Sequence, residues 1–420
     1  MRLPDEDTAA VLARDAQITP PPVFDAGPQG PSGDYRACAI TESVGAKVRV
    51  MLLLGSLSGG GAERVAVNLV NRCDPAAVDL RLGLLSRTGP FLTEVDPRRV
   101  EAPGRRRAAL PIALRGPADI ARMIRDVRPQ VLMTFGMGVT MLTWLAMKGL
   151  GRDRPRWICR EDSNPDAEIE NLLTNRLGRS AIRAASRHAH GGADGFVAVA
   201  RELATKLDSR ARPGRAPTRV IHNPIDLARI ERLAAQPLPH APRRPFIVTA
   251  GRLVHQKGFD LLIKAFADSR AARDMDLVIL GEGPLEAMLK AQAASLGVEG
   301  RVRFPGFQDN PWAWFARARL FVLSSRWEGF GNVVAEAMAS GAPTLVTDCD
   351  FGPREQVTHG VSGWVARSED PAALAAALDT LLSDPALAAR LAFAGKSRAR
   401  AFDVAAIAEA YTDLFLEQAA

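Results

Sequence analysis

Along this chain short apolar runs alternate with longer stretches whose apolar residues recur at helical spacing. The first run, Val48-Arg-Val-Met-Leu-Leu-Leu54, is unbroken after Arg49 and stops at Gly55 and Ser56. A short run without polar alternation reads as a parallel strand buried on both faces. Comparable runs, each followed by a helical pattern, lie at Asp79–Ser86, Val131–Phe135, Trp157–Arg160, Gly195–Val199 and Arg219–His222. The pattern then restarts with Phe246–Ala250, Leu277–Leu280, Val302–Phe304, Leu320–Leu323 and Thr344–Thr347. Alternation of strands and helices predicts a doubly wound α/β sheet, and the restart predicts two in tandem. Such a pair leaves a cleft between the carboxyl ends of its strands, where open α/β folds bind ligands.

The boundaries follow from where periodicity fails. Residues 1–45 contain Thr19-Pro-Pro-Pro22 and the glycine- and proline-rich Gly27–Gly33, and read as a disordered extension. Asn223-Pro-Ile-Asp226 and the proline-rich Gln236–Pro245 separate the two series and read as hinge and linker. The expected domains are therefore 46–224 and 225–400. Apolar residues at helical spacing in Phe402–Leu416 add a closing helix over 401–420.

Composition narrows the class. With 420 residues, 47% hydrophobic and 24% charged, the chain is neither fibrous nor largely disordered, and it is long enough for two cores. Its four cysteines lie far apart with no Cys-x-x-Cys pair, which argues against a disulfide framework or a zinc site and for a reducing, cytoplasmic setting. The N-terminus shows no apolar signal core. The 17 uncharged residues Val131–Met147 are short for a membrane span and read as a buried strand followed by a buried helix.

Charge is unevenly divided. Residues 1–45 carry a net −4, residues 46–225 a net +13 and residues 226–420 a net −2. A genome-wide arginine bias would raise both halves together, so the middle segment is expected to face something anionic, a membrane surface or a phosphorylated acceptor. Nucleic acid is not the expected partner, because the segment lacks the interleaved aromatics of a stacking platform. The arginine clusters are Arg98–Arg99, Arg105–Arg107, Arg122, Arg125 and Arg128, and those of Arg176–Arg187.

Three segments carry candidate chemistry. After the first strand comes Leu57-Ser-Gly-Gly-Gly-Ala-Glu-Arg-Val65, whose glycines let backbone amides approach a ligand at a helix start. The second series opens with Gly251-Arg-Leu-Val-His-Gln-Lys-Gly258, where Arg252 and Lys257 supply two cations suited to a diphosphate. The densest segment, Ser324–Met338, places Glu328 and Glu336 around a Gly329-Phe330-Gly331 turn that opens a helix over Asn332–Ser340. Free amides there suit a phosphate, and the two carboxylates suit hydroxyls at different ends of one nucleotide-sugar.

This combination resembles the retaining glycosyltransferases of family 4, the glycosyl transferases group 1, which have the GT-B fold of two Rossmann-like domains facing across a cleft. The matching stretches are GGGAERV, NPID, GRLVHQKGFDLLIKAF, ILGEGPL, RVRFPGF, SSRWEGFGNVVAEAMASGAPTLVTD, GPREQV and GVSGWV. The resemblance implies that Arg252 and Lys257 bind the donor diphosphate, that Glu336 binds the ribose, and that Glu328 lies at the reacting face. It places the amides of Phe330, Gly331, Asn332 and Val333 in the phosphate cradle, and Gly306 and Phe307 at the base. Gly61 would approach donor and acceptor, Glu63 would contact the acceptor, and the closing helix would return to the N-terminal domain. One departure stands out: many relatives have a Glu-His pair before Asn and Pro, whereas Cys159-Arg-Glu-Asp-Ser-Asn-Pro165 offers Glu161 and Asp162 as acceptor-side residues. No histidine clearly replaces the missing one; His188 and His190 read as surface residues, and His222 as a candidate lining the cleft.

The implied reaction is a front-face substitution in which the sugar leaves and is captured on one side and the departing diphosphate takes the acceptor proton. The expected partners are a nucleotide-sugar donor, a glycan or lipid-linked acceptor and an anionic membrane surface. No cofactor and no metal are expected; Asp348-Cys-Asp350, the nearest approach to an Asp-x-Asp element, reads as structural or sugar-proximal. A sugar-nucleotide epimerase, a phosphorylase and a non-catalytic nucleotide-binding protein are the competing readings.

Overall fold

In a computed structural model of the protein, residues 47–104, 111–172, 176–209, 217–238 and 241–420 are described. The predicted extension 1–45 and the cluster Arg105–Arg107 lie outside them.

Seven strands form the first sheet: β1 (Val48–Leu54), β2 (Val78–Leu84), β3 (Val100–Glu101), β4 (Val131–Phe135), β5 (Arg156–Glu161), β6 (Gly195–Ala198) and β7 (Arg219–Val220), in spatial order β3-β2-β1-β4-β5-β6-β7. Six form the second: β8 (Phe246–Ala250), β9 (Asp276–Leu280), β10 (Val302–Gly306), β11 (Leu320–Leu323), β12 (Thr344–Thr347) and β13 (Trp364–Ala366), in order β10-β9-β8-β11-β12-β13. Every pairing is parallel. Parallel strands need crossovers that cover both faces, which is why β1, β4, β8, β9 and β11 are buried nearly end to end. In each sheet the winding reverses once, between β1 and β4 and between β8 and β11. The loops leaving those strands flank a crevice at the switch point.

The helices are α1 (Gly61–Arg72), α2 (Ile112–Val127), α3 (Met137–Met147), α4 (Pro165–Leu172), α5 (Arg176–His190), α6 (Arg201–Asp208), α7 (Leu227–Ala234), α8 (Phe259–Asp268), α9 (Glu286–Ser295), α10 (Trp312–Phe315), α11 (Asn332–Ala339), α12 (Pro353–Gln356), α13 (Pro371–Ser383), α14 (Pro385–Ala399) and α15 (Val404–Ala419). The uncharged run Val131–Met147 is a buried strand followed by a helix, β4 and α3. Between the predicted hinge Asn223–Asp226 and the predicted linker Gln236–Pro245 lies α7, started by Asp226, whose carboxylate accepts the Arg229 amide at 2.9 Å.

Helix α15 adds Ile407, Ala408, Tyr411, Leu414 and Phe415 to the core around the first sheet. The chain passes from one sheet to the other at two adjacent points, where Ile225 N–H donates to Phe402 O at 2.9 Å and Val404 N–H donates to Ile225 O at 2.9 Å.

Candidate active site

At the second switch point the loop after β8 lies against the loop after β11. Gly258 shows why glycine is required there: its φ is +61°, and a Cβ would stand 2.1 Å from the carbonyl oxygen of Ser324. The two loops are stitched by Ser324 Oγ donating to Lys257 O (2.9 Å), Gln256 Nε2 to Trp327 O (3.0 Å) and Arg326 N to Gln256 O (2.8 Å). Arg326, its side chain largely buried, forks onto Asp260 at 2.8 and 2.7 Å. This scaffold brings the two predicted reactive groups together, with Lys257 Nζ 2.6 Å from Glu328 Oε1. Ser325 Oγ donates to the same oxygen at 2.6 Å, and Glu328 is 5% exposed. Arg252 is exposed beside them on the loop. Beneath, the thiol of Cys349 is pushed up to about 12, first by burial and then by the charge of Glu328, which leaves it no nucleophilic role at neutral pH.

The turn after Glu328 meets the first sheet. A Cβ on Gly329 would lie 1.6 Å from Asp162 O, so only glycine permits this approach. Phe330 is buried, and its carbonyl accepts Nε2 of Gln356. Gly331 caps α11, whose first amides, including those of Asn332 and Val333, have no carbonyl one turn earlier to bond. Asn332 spans the cleft: its Oδ1 accepts Asn223 Nδ2 at 2.6 Å and its Nδ2 reaches Gly61 O at 3.4 Å. Behind Asn223 sits Arg160, a fully buried guanidinium bonded to Asn223 Oδ1, to Asp162 and to Tyr411 Oη, the last at 2.7 Å.

Inside α11, Glu336 Oε2 accepts the indole N–H of Trp312 at 3.2 Å. The residue keeps some exposure. Desolvation pushes its pKa above the ordinary carboxylate value, against the opposing pull of that indole and of Arg64 and Arg229. Those two arginines share Glu94 on the 3-10 turn Pro90–Glu94: Arg64 binds it bidentately at 2.6 and 2.9 Å, and Arg229 Nη1 holds Oε2. Burial raises the Glu94 pKa, but the hydrogen bonds from Arg64 and Arg229 outweigh it and hold the carboxyl down at about 2.

At the other end of the crevice Gly306 closes β10, and the Phe307 side chain is 54% exposed with its amide 3.5 Å from Glu282 Oε1. On the first sheet, Gly61 and Glu63 stand at the start of α1. Glu161 is 3% exposed, with Oε1 2.6 Å from His190 Nε2. His190, expected at the surface, is part-buried: the ring stacks on Phe196 and its Nδ1 faces Ser186 O at 2.7 Å, whereas His188 is exposed as expected. His222 lies between Phe330 and Phe402, 3.1 Å from Glu355 Oε2. Sequence reasoning missed Arg160, Glu94, Arg229 and Trp312; Asp162 beside Arg160 apart, their partners lie too far away in sequence for spacing to reveal.

Comparison with known proteins gives the family and the fold. The family described as Glycosyltransferase Family 4 matches residues 59–229, and Glycosyl transferases group 1 matches residues 232–398. The chain is 31% identical over 293 residues to the lipopolysaccharide core biosynthesis mannosyltransferase LpsB of Rhizobium meliloti, covering 63% of this chain and 81% of that one. It is 35% identical over 189 residues to the N-acetylgalactosamine-N,N'-diacetylbacillosaminyl-diphospho-undecaprenol 4-alpha-N-acetylgalactosaminyltransferase of Campylobacter jejuni, covering 45% of this chain and 51% of that one. The chain spans 50–60% of the length of several curated relatives that it matches. Among solved structures, Anabaena Alr3699/HepE in complex with UDP superposes with a TM-score of 0.69 at 20% identity, over 89% of this chain and all of that one. Sucrose-phosphate synthase from Thermosynechococcus elongatus gives 0.70 at 18% identity, over 88% and 99%. These structures share the fold. The chain belongs to the group 1 glycosyltransferases of the GT-B fold.

Proposed function

We propose that the protein transfers a sugar, with retention of configuration, from a nucleoside-diphosphate donor to a hydroxyl on a lipid-linked or cell-surface glycan precursor. The observation that carries this reading is the Lys257–Glu328 pair on two interlocked loops at the second switch point. Lys257 and Arg252 would take the negative charge that grows on the diphosphate as the glycosidic bond breaks, with the amides at the start of α11 completing the cradle. Glu336 would accept the ribose hydroxyls and Phe307 would meet the base. Lys257 already carries a carboxylate partner, so its ammonium would be shared between Glu328 and the diphosphate, which fixes both at the reacting face. The leaving diphosphate oxygen would take the acceptor proton, so no protein base and no metal is assigned.

Support for the donor comes from Anabaena HepE, a relative in fold solved with UDP, with UDP and glucose, and with UDP-glucose. Support for the acceptor comes from the Campylobacter relative, named for a diphospho-undecaprenol substrate, and from the Rhizobium lipopolysaccharide core enzymes.

Among the described residues no single helix is long and apolar enough to cross a membrane. Attachment to an anionic inner membrane face would fall to the neighbouring helices α2, α3 and α5. These leave Leu114, Leu145 and Leu177 exposed at 78%, 47% and 87%, with Arg125, Arg128, Lys148, Arg176 and Arg187 also exposed. Other basic residues there are internally compensated, such as Arg122 on Asp126 at 3.4 Å.

Release of nucleoside diphosphate from UDP-, GDP- and ADP-sugars, measured with and without a bacterial lipid extract, tests the reading. Acceptor-dependent release from one donor is expected. Nucleotide-sugar isomerisation without release would favour an epimerase, and the absence of any turnover would favour a non-catalytic binding protein.

A further inference from the structure

The donor carboxylate has a support of its own. Trp312, 8% exposed on the short α10, gives its indole N–H to Glu336 Oε2, and Oε1 takes no hydrogen bond among the described residues. An indole N–H is a donor only, so it fixes one oxygen of the carboxylate and leaves the acceptor capacity of the other intact. The ring is itself held: the Arg229 guanidinium lies 5.7 Å from its centroid, and Arg229 is tied through Glu94 to Arg64 on α1. A part-buried carboxylate with a single neutral donor is only weakly oriented, and removing that donor leaves the carboxylate free to turn.

We propose that Trp312 is a positioning residue for Glu336: it orients the carboxylate so that Oε1 meets the vicinal hydroxyls of the donor ribose, and it thereby sets discrimination between ribo- and deoxyribonucleotides. This rests on the assignment of Glu336 to the ribose. Arg229 and Glu94 connect the same element to the other domain, so ribose capture and approach of the two sheets share one support.

The test is calorimetric binding of UDP, GDP and ADP and of their 2′-deoxy and 3′-deoxy counterparts, which needs neither the sugar nor the acceptor. Hydrogen bonds to a charged group contribute about 1.5–3 kcal/mol, so the wild type should favour the ribonucleotide by roughly 10- to 100-fold. Trp312→Phe keeps an aromatic ring and removes the N–H. It should raise the ribonucleotide Kd several-fold, leave the deoxy Kd nearly unchanged, and bring their ratio towards one. Should Trp312→Phe fail to fold, 3-benzothienylalanine at position 312 removes the N–H without changing the volume and carries the same expectation. A wild type that discriminates, with a ratio unchanged in the folded variant, overturns the positioning role alone. A wild type that binds ribo- and deoxyribonucleotides equally overturns both this role and the assignment of Glu336 to the ribose.

Discussion

At the scale of single residues the site is a balance of charges held at a cost to the fold. Lys257 and Glu328 neutralise each other at 2.6 Å, so Lys257→Ala removes a cation from the proposed diphosphate site and leaves a nearly buried carboxylate without its ammonium. Turnover is expected to fall by about 100-fold or more while the circular dichroism spectrum is unchanged; near wild-type turnover would remove Lys257 from the donor site. Glu336 carries the opposite strain. Its pKa is raised above 4.5, chiefly by desolvation, so the fold holds its proton more tightly than the unfolded chain does. Its ionisation therefore opposes folding above the folded pKa, and the penalty fades as pH falls towards 4.5. Glu336→Gln should raise the melting temperature of the free protein at pH 7 and weaken nucleotide binding; a lowered melting temperature would contradict the sign. The loops that carry Lys257 and Glu328 were legible because glycine, cation and carboxylate recur within a few positions. The Arg229–Glu94 pair was not, because 135 residues separate its members and nothing local marks either one.

At the scale of elements, the strands were the legible part and the supports between sheets were not. Buried parallel strands are written as unbroken apolar runs, so β4, β8, β11 and β12 stand where the runs stand. The two-residue β3 and three-residue β13 are edge strands too short to leave such a signal, and α7 was hidden by the prolines around it. Contact between the sheets depends on single atoms. At Gly329 a Cβ would stand 1.6 Å from Asp162 O, so Gly329→Ala must push the Glu328 loop off the first sheet. Loss of turnover at a melting temperature within a few degrees of wild type is expected, and full turnover would show that this approach is dispensable. Glu94 supplies a pH handle on the same contact. Its pKa falls from 4.5 to about 2 in the fold, so its stabilisation is complete above about 4.5 and is lost as pH falls towards 2. Acid unfolding of Glu94→Gln should therefore begin from a lower stability at neutral pH and lose less between pH 4.5 and 2 than the wild type; equal slopes would separate Glu94 from the folded balance.

At the scale of the whole molecule the uneven charge and the two crossings at Ile225 and Asp403 define what can move. The contacts of Asn332 with Gly61 and Asn223 belong to an approach of the two sheets that bound nucleotide should favour. Small-angle scattering is expected to show a smaller radius of gyration at saturating nucleoside diphosphate, and an unchanged radius would count against closure. The +13 of residues 46–225 was plain in the sequence. Only the structure shows that some of its arginines are compensated while exposed leucines stand beside others. Flotation with liposomes should require anionic lipid and weaken as salt rises; binding indifferent to lipid charge would leave transfer intact and remove the membrane. Transfer itself is the central claim, and one measurement meets it most directly. The donor found in the nucleotide-release screen, labelled in its sugar, is incubated with lipid extract, and the wild type is run beside Lys257→Ala. The wild type should move label into the lipid-linked fraction in step with nucleoside diphosphate release, and the variant should do so about 100-fold more slowly. Label that stays on the nucleotide, or a variant as fast as the wild type, would contradict the account.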